Sequence, residues 1–418
     1  MLPISHFSGS EAHVARLPHS WRRPDGSLGT LFEGESCTDP TPLVADLGDT
    51  APFLAATGQL DAALGLARAA DVHLVHGLFP RGHRTCLFDN HDLVLGWLDL
   101  YEQTGERWLL DRATTAMERI ATTFDVRGSL VDHTGRLGMP SLRSSPFNGG
   151  YIETAIDLHR LTGHPDALAW AERWAAHLVE SPHFVAHGMY SRFATPILPL
   201  VGRVLGRLSK PGPVRIFKDN TNCVWGILAL HELAPDLRWS TAVERFLGAA
   251  EAAVEQAGHM PQFPGRPSRF ELAPHAFLVD LLVDIAGAGI APDRATALAV
   301  RLAHIVERHR WPSGLIPVHE GAERDHVDIM VDYGIALCRL AERTGDATWR
   351  ERGVAGWAEM WRTHGTPHGL ALGVGIDGSI RDLRIIVKYQ FLAVKSLLAA
   401  ASTHLLDDAA LGRLIRDR

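Results

Sequence analysis

A helical hairpin of recurring phrasing runs through most of this chain, and that repeat limits the available folds more than any other feature. One copy reads FDNHDLVLGWLDLYEQTGERWLLDRATTAMERIATTF from Phe88, and another reads FNGGYIETAIDLHRLTGHPDALAWAERWAAHLV from Phe147. In both, a first helix ends in Leu-Tyr or Leu-His, a Thr-Gly turn follows, and a longer amphipathic helix completes the unit. Gly105 and Gly163 fall where a left-handed residue closes a helix. Further copies begin at Leu43, Phe217, Ala273, Arg324 and Arg381. First helices are thus expected to start near residues 44, 89, 148, 219, 274, 326 and 382.

The two helices of each copy differ in pattern. First helices are apolar on nearly every side, as when neighbours enclose them, whereas second helices carry one apolar stripe and an Arg/Glu-rich face. Turn-rich segments such as HGLFPRGHRT, HGMYSRFATP and HGLALGVGIDG separate one copy from the next and suit turns and short strands. Inner helix, tight turn, outer helix and long loop, repeated around a ring, describe an all-α (α/α) toroid of six or seven hairpins, with short strands in the loops on one face. Residues 1–40 then form an N-terminal segment packing on or capping the barrel, and residues 41–418 form a single toroid domain.

Composition narrows the function. With 46% hydrophobic and 21% charged residues over 418 positions, the chain can bury a large core. A net charge of −7 gives no basic face for phosphate contacts, so no nucleic-acid partner is expected. No apolar run reaches the length of a membrane span, and the N-terminus has no secretory pattern, so a cytoplasmic, membrane-free protein is expected. The four cysteines (Cys37, Cys86, Cys223, Cys338) are widely spaced, with no CxxC or HxxxH pair, so free thiols, no metal and no cofactor are expected.

The repeat phrasing, DLHRLTGHPDALAWAERWAAHLV above all, resembles that of the (α/α) barrel enzymes acting on carbohydrates. These include unsaturated glucuronyl hydrolases, N-acylglucosamine and cellobiose 2-epimerases, and the helical part of glucuronyl C5-epimerases. The resemblance spans residues 40 to 418 and implies a fold and a sugar or oligosaccharide substrate; it does not fix a reaction. His275-Ala276-Phe277 resembles the HAF phrasing of the 2-epimerases, but its flanks depart from it.

Polar residues at inner-helix starts line the mouth of such a ring, where a substrate pocket is expected. Asp89 and Asp92 are three apart on one face of the second inner helix, with His91 between them and Gly96 leaving space above. Asp46 and Asp49 have the same spacing, but the Thr-Ala-Pro that follows suggests that Asp49 only satisfies backbone broken by proline. Asn148 and Tyr151 open the third inner helix, with Gly149 and Gly150 allowing close approach; Asp219, Asn220 and Asn222 open the fourth. Asp325, Asp328 and Asp332 form a stripe at i, i+3 and i+7, and Arg381, Arg384 and Lys388 form a matching cationic stripe on the next copy. Only four of the 41 basic residues are lysine, and two of them, Lys388 and Lys395, lie in that copy.

Three reactions fit these residues. The leading one is glycoside hydrolysis by paired carboxylates drawn from Asp89, Asp92, Asp219, Asp328 and Asp332, on an acidic, uronate-type oligosaccharide held by Arg384 and Lys388. An epimerase, isomerase or uronate lyase would use His91, His326 and Tyr389 as acid–base pairs. A zinc-dependent cyclase on a similar toroid needs Cys-His-Gly phrasing that none of the cysteines has.

Overall fold

The computed structural model describes residues 21–134, 141, 145, 147–190, 217–262, 269–401 and 414. Among them are fourteen α-helices: α1 (Ala51–Ala56), α2 (Leu60–Asp71), α3 (Phe88–Thr104), α4 (Arg107–Thr123), α5 (Asn148–Thr162), α6 (Pro165–Glu180), α7 (Pro182–His187), α8 (Phe217–Leu233), α9 (Leu237–Ala257), α10 (Leu272–Gly287), α11 (Pro292–Glu307), α12 (Val327–Thr344), α13 (Ala347–His364) and α14 (Val387–Ala401). The inner layer runs α1, α3, α5, α8, α10, α12, α14, each packed on the next, and α14 returns to α1. Seven inner helices therefore close the ring of an (α/α) toroid, with α2, α4, α6, α9, α11 and α13 outside it.

Burial follows the two sequence patterns. In α3 the run from Leu93 to Leu98 is buried without interruption, because both flanks meet other inner helices. In α4 only Leu109, Leu110, Ala113, Ala116, Met117 and Ile120 are buried, one stripe of an outer helix. Gly105, Gly163 and Gly345 close α3, α5 and α12 in the left-handed conformation, as the Thr-Gly turns imply. No helix is long and apolar enough to cross a membrane among the described residues.

A repeated side-chain device joins loops to inner helices. Asn90 accepts from the Phe79 amide and donates to its carbonyl, and Asn220 does the same for Tyr190. Gln390 holds Leu370 in this way, Asn148 accepts from Leu130, and His275 accepts from Met260. Each satisfies backbone groups that loop burial would otherwise strand.

The strands are two to seven residues long. β1 (Gly29–Glu33) pairs antiparallel with both β2 (Ser36–Pro42) and β4 (Arg384–Ile386), the latter preceded by β3 (Ile380–Asp382), so the start of the described chain zips to the strand leading into α14. Two expectations fail here. Residues 43–50 form turns rather than helix, because Pro52 confines α1 to six residues. Arg381 and Arg384 lie on β3 and β4, not on an inner helix; the β-branched run Ile385-Ile386-Val387 favours the strand that β1 completes.

Candidate active site

The turns at 43–50 place the site's first two carboxylates. Leu47 and Gly48 lie directly on α3: a Cβ at Gly96 would sit 2.7 Å from the Gly48 nitrogen, and one at Gly48 would strike the Asp92 carbonyl oxygen. The space that Gly96 opens is therefore filled by this segment, which brings Asp46 and Asp49 against Asp92. One oxygen from each of the three carboxylates lies within 4.8 Å of the others. From α14, Lys388 Nζ reaches Asp49 Oδ2 at 2.5 Å, Asp46 Oδ1 at 3.0 Å and Asp92 Oδ2 at 3.4 Å. An ammonium thus stands where three acids would otherwise repel one another.

This packing yields a first test. Gly96→Ala is expected to destabilise by about 1–3 kcal/mol, because backbone must give way. Gly65→Ala on α2, where a Cβ meets nothing within 4 Å, should be neutral or stabilising by up to about 1 kcal/mol. Chemical denaturation of both variants checks the difference.

The three carboxyls do not titrate alike. Burial, reinforced by Asp92 and Asp46 and opposed by Lys388, pushes Asp49 up to about 7. Burial acts on Asp92 in the same direction, but the Lys388 ammonium and a hydrogen bond from His91 overcome it and hold that carboxyl below its ordinary range. The two neighbouring carboxyls are thus pushed in opposite directions, Asp49 up and Asp92 down.

His91 is buried and its Nδ1 lies 3.1 Å from Asp92 Oδ1. Its ring is held between Phe147 (5.3 Å) and Tyr151 (5.2 Å), and the absent side chain of Gly150 leaves room for its Nε2 edge. The glycine pair of α5 thus receives neighbours within the protein: His91 at Gly150, and the Asn222 carbonyl of α8 at Gly149. Asp89 is buried beside Arg81 Nη2 at 2.8 Å; burial raises its carboxyl and Arg81 opposes the rise.

A second group adjoins the cluster. At the start of α12, Asp328 pairs with His326 Nδ1 and accepts from the Ile329 amide at 2.8 Å. The Tyr389 ring meets His326 edge-on at 5.1 Å. Burial, then the Asp328 charge, pushes the Tyr389 hydroxyl upward, while Lys388, its neighbour in sequence, pulls it down. Asp92, His326, Asp328 and Tyr389 are therefore brought to neighbouring places, with Asp46 and Asp49 added.

Other candidates lie elsewhere. Tyr151 donates to the Leu87 carbonyl (2.8 Å), so its hydroxyl serves the inner-helix junction. The amides of Asn148 and Asn220 hold loop backbone. Asp219 and Asn222 are half-buried in the first two turns of α8. Asp332 is buried 3.7 Å from Lys395 Nζ. Asp325 precedes α12 and accepts from His364 Nε2 and the Val374 amide, so no three-acid helical stripe exists. Arg384 is exposed and paired with Asp382, which removes it from any cationic stripe with Lys388. His275 donates through Nδ1 to the Glu271 carbonyl and is pushed by burial down to about 3, so it is a neutral tether.

No family model matches the chain, and no curated protein matches its sequence. Solved structures do resemble it. An α-1,2-mannosidase from Trichoderma reesei superposes with a TM-score of 0.64 at 12% identity, over 93% of each chain. A cellobiose 2-epimerase from Bacillus thermoamylovorans B4167 gives 0.57 at 12% identity, over 93% of this chain and 96% of that one. The unsaturated glucuronyl hydrolase from Bacillus sp. GL1 gives 0.54 at 14% identity, over 88% and 97%. At such identities the likeness is one of fold: this chain is an (α/α) toroid, an architecture on which these neighbours carry out both hydrolysis and epimerisation of sugars.

Proposed function

We propose that this protein is a carbohydrate-active enzyme that cleaves a glycosidic bond, with Asp49 as general acid and Asp92 as its partner carboxylate. The observation that carries this reading is geometric: Asp46, Asp49 and Asp92 bring carboxylate oxygens within 4.8 Å of one another around the single Lys388 ammonium, and burial raises Asp49. Asp49 gives its proton to the leaving oxygen while Asp92 attacks the anomeric carbon; water, deprotonated by Asp49, then releases the sugar from Asp92. One oxygen of Asp49 and one of Asp92 lie within 4.8 Å of each other, so the two carboxyls can act on the same bond. His91 orients Asp92 through Nδ1, and the Lys388 ammonium, within reach of both carboxyls, balances their charge.

The substrate in this reading is a neutral saccharide. The basis for a uronate preference falls away, because Arg384 is exposed and paired with Asp382, and Lys388 is shared among three carboxylates. A sugar carboxylate would meet a net negative cluster.

The pH dependence of kcat/KM tests the acid. Because the protonated form of Asp49 works, activity should fall as pH rises through about 7, approaching tenfold per pH unit. Asp49→Asn should remove both the activity and that limb. A profile flat from pH 6 to 9 with Asp49 intact would count against the assignment.

One observation favours a second reading, sugar isomerisation or epimerisation. His326 is fixed through Nδ1 by Asp328 and faces the Tyr389 ring, a His–Tyr pair suited to moving a proton at carbon. Here Tyr389→Phe would abolish turnover, whereas in the hydrolytic reading it leaves at least about a tenth of it.

A further inference from the structure

Phe88 is the first residue of α3 and is 47% exposed, unusual for a large aromatic on an inner helix. It stands one helical turn before Asp92, so the two share a face of α3. Its ring meets Phe147, at the head of α5, in an edge-to-face contact with centroids 5.0 Å apart. Phe147 in turn contacts His91, whose Nδ1 bonds Asp92. Two ring contacts and one hydrogen bond thus link the exposed Phe88 to Asp92.

We infer that Phe88, backed by Phe147, is a stacking platform for a pyranose ring of the saccharide, a subsite adjoining the Asp49–Asp92 pair. The inference rests on the proposed function for the chemistry at that pair. The apolar C–H face of a neutral pyranose suits an aromatic face, and a stacked sugar ring there leaves the next residue of the saccharide over the turn that carries Asp92. Exposure costs Phe88 the burial that other large side chains of the inner layer have, and Phe147 fixes the ring's attitude without covering it. A neutral oligosaccharide two or more residues long is the ligand that uses both the platform and the acid pair.

The test is binding measured apart from turnover. Mannotetraose, cellotetraose and maltotetraose are titrated calorimetrically into Asp92→Asn protein, which leaves the saccharide intact, with and without Phe88→Ala or Phe88→Trp. At least one tetrasaccharide should bind. Phe88→Ala should weaken it roughly tenfold, Phe88→Trp should retain it, and in the active protein Phe88→Ala should raise KM with little change in kcat. Unchanged affinity in Phe88→Ala, with or without a lowered melting temperature, means that the aromatic pair is only packing and overturns the platform. So does the absence of binding by all three probes. If binding depends on Phe88 but the wild type cleaves nothing, the hydrolytic reading fails and the platform stands. If cleavage depends on Asp92 while affinity ignores Phe88, the platform alone fails.

Discussion

Asp92→Asn is expected to lower turnover by roughly 10²- to 10⁴-fold, the scale of a positioned acid–base or nucleophilic carboxylate. The substitution keeps the side chain's shape and its ability to accept from His91 Nδ1 (3.1 Å in the wild type). It removes the charge that attacks carbon in the proposed reaction and that raises Asp49. Lys388 retains Asp46 at 3.0 Å and Asp49 at 2.5 Å, so the ammonium is not orphaned. Stability should therefore change little, and steady-state kinetics read beside a thermal melt separate lost chemistry from lost folding. The acid limb should shift as well: with Asp92 neutral, one charge that raises Asp49 disappears and Asp49 ionises at lower pH.

Lys388→Met should have the largest effect on stability, a loss of about 3–5 kcal/mol at pH 7. The lysine side chain is only 23% exposed, and without it three neighbouring carboxylates lose their counter-ion. In the wild type, burial alone would lower the ammonium's pKa, but the three aspartates raise it well above its ordinary value. A group raised on folding contributes stability at pH below its unfolded value and loses it only as pH climbs through the folded one, so the wild-type contribution persists across neutral pH. The variant should behave differently. With the cation gone, the carboxyls bind protons more tightly folded than unfolded, so stability falls as pH rises above about 4 and recovers on acidification. A denaturation series from pH 4 to 8 checks this. A variant equally weakened throughout would instead indicate a packing defect.

The fold was largely legible because its determinants are local. Gly105 and Gly163 mark helix ends wherever they occur, and the contrast between α3 and α4 in apolar coverage is visible without knowledge of neighbours. Asp92, His326, Asp328 and Tyr389 were legible as polar residues at inner-helix starts for the same reason. Asp46 and Asp49 were visible as a pair, but Pro52 offered a sufficient local explanation for them. What reveals their position beside Asp92 is the fit of Gly48 on the Asp92 carbonyl and of Gly96 on Gly48, a tertiary contact for which two glycines were the only trace. The i, i+3, i+7 spacing of Arg381, Arg384 and Lys388 misled because spacing implies a shared face only within a helix. β1 supplies hydrogen bonds that make Leu31 and Ile386 strand partners instead. Asn148 and Asn220 resemble sugar ligands by type, yet buried loop backbone claims their amides.

The proposed reaction transfers a proton to oxygen, not to carbon, at the Asp49–Asp92 pair. The most direct measurement is NMR of products formed from neutral oligosaccharides in D₂O. Hydrolysis gives new reducing ends and shorter chains with no deuterium bound to carbon, and these products are lost in Asp92→Asn. Chains of unchanged length carrying solvent deuterium on a sugar carbon, with a dependence on His326 and Tyr389, would contradict it and establish isomerisation or epimerisation.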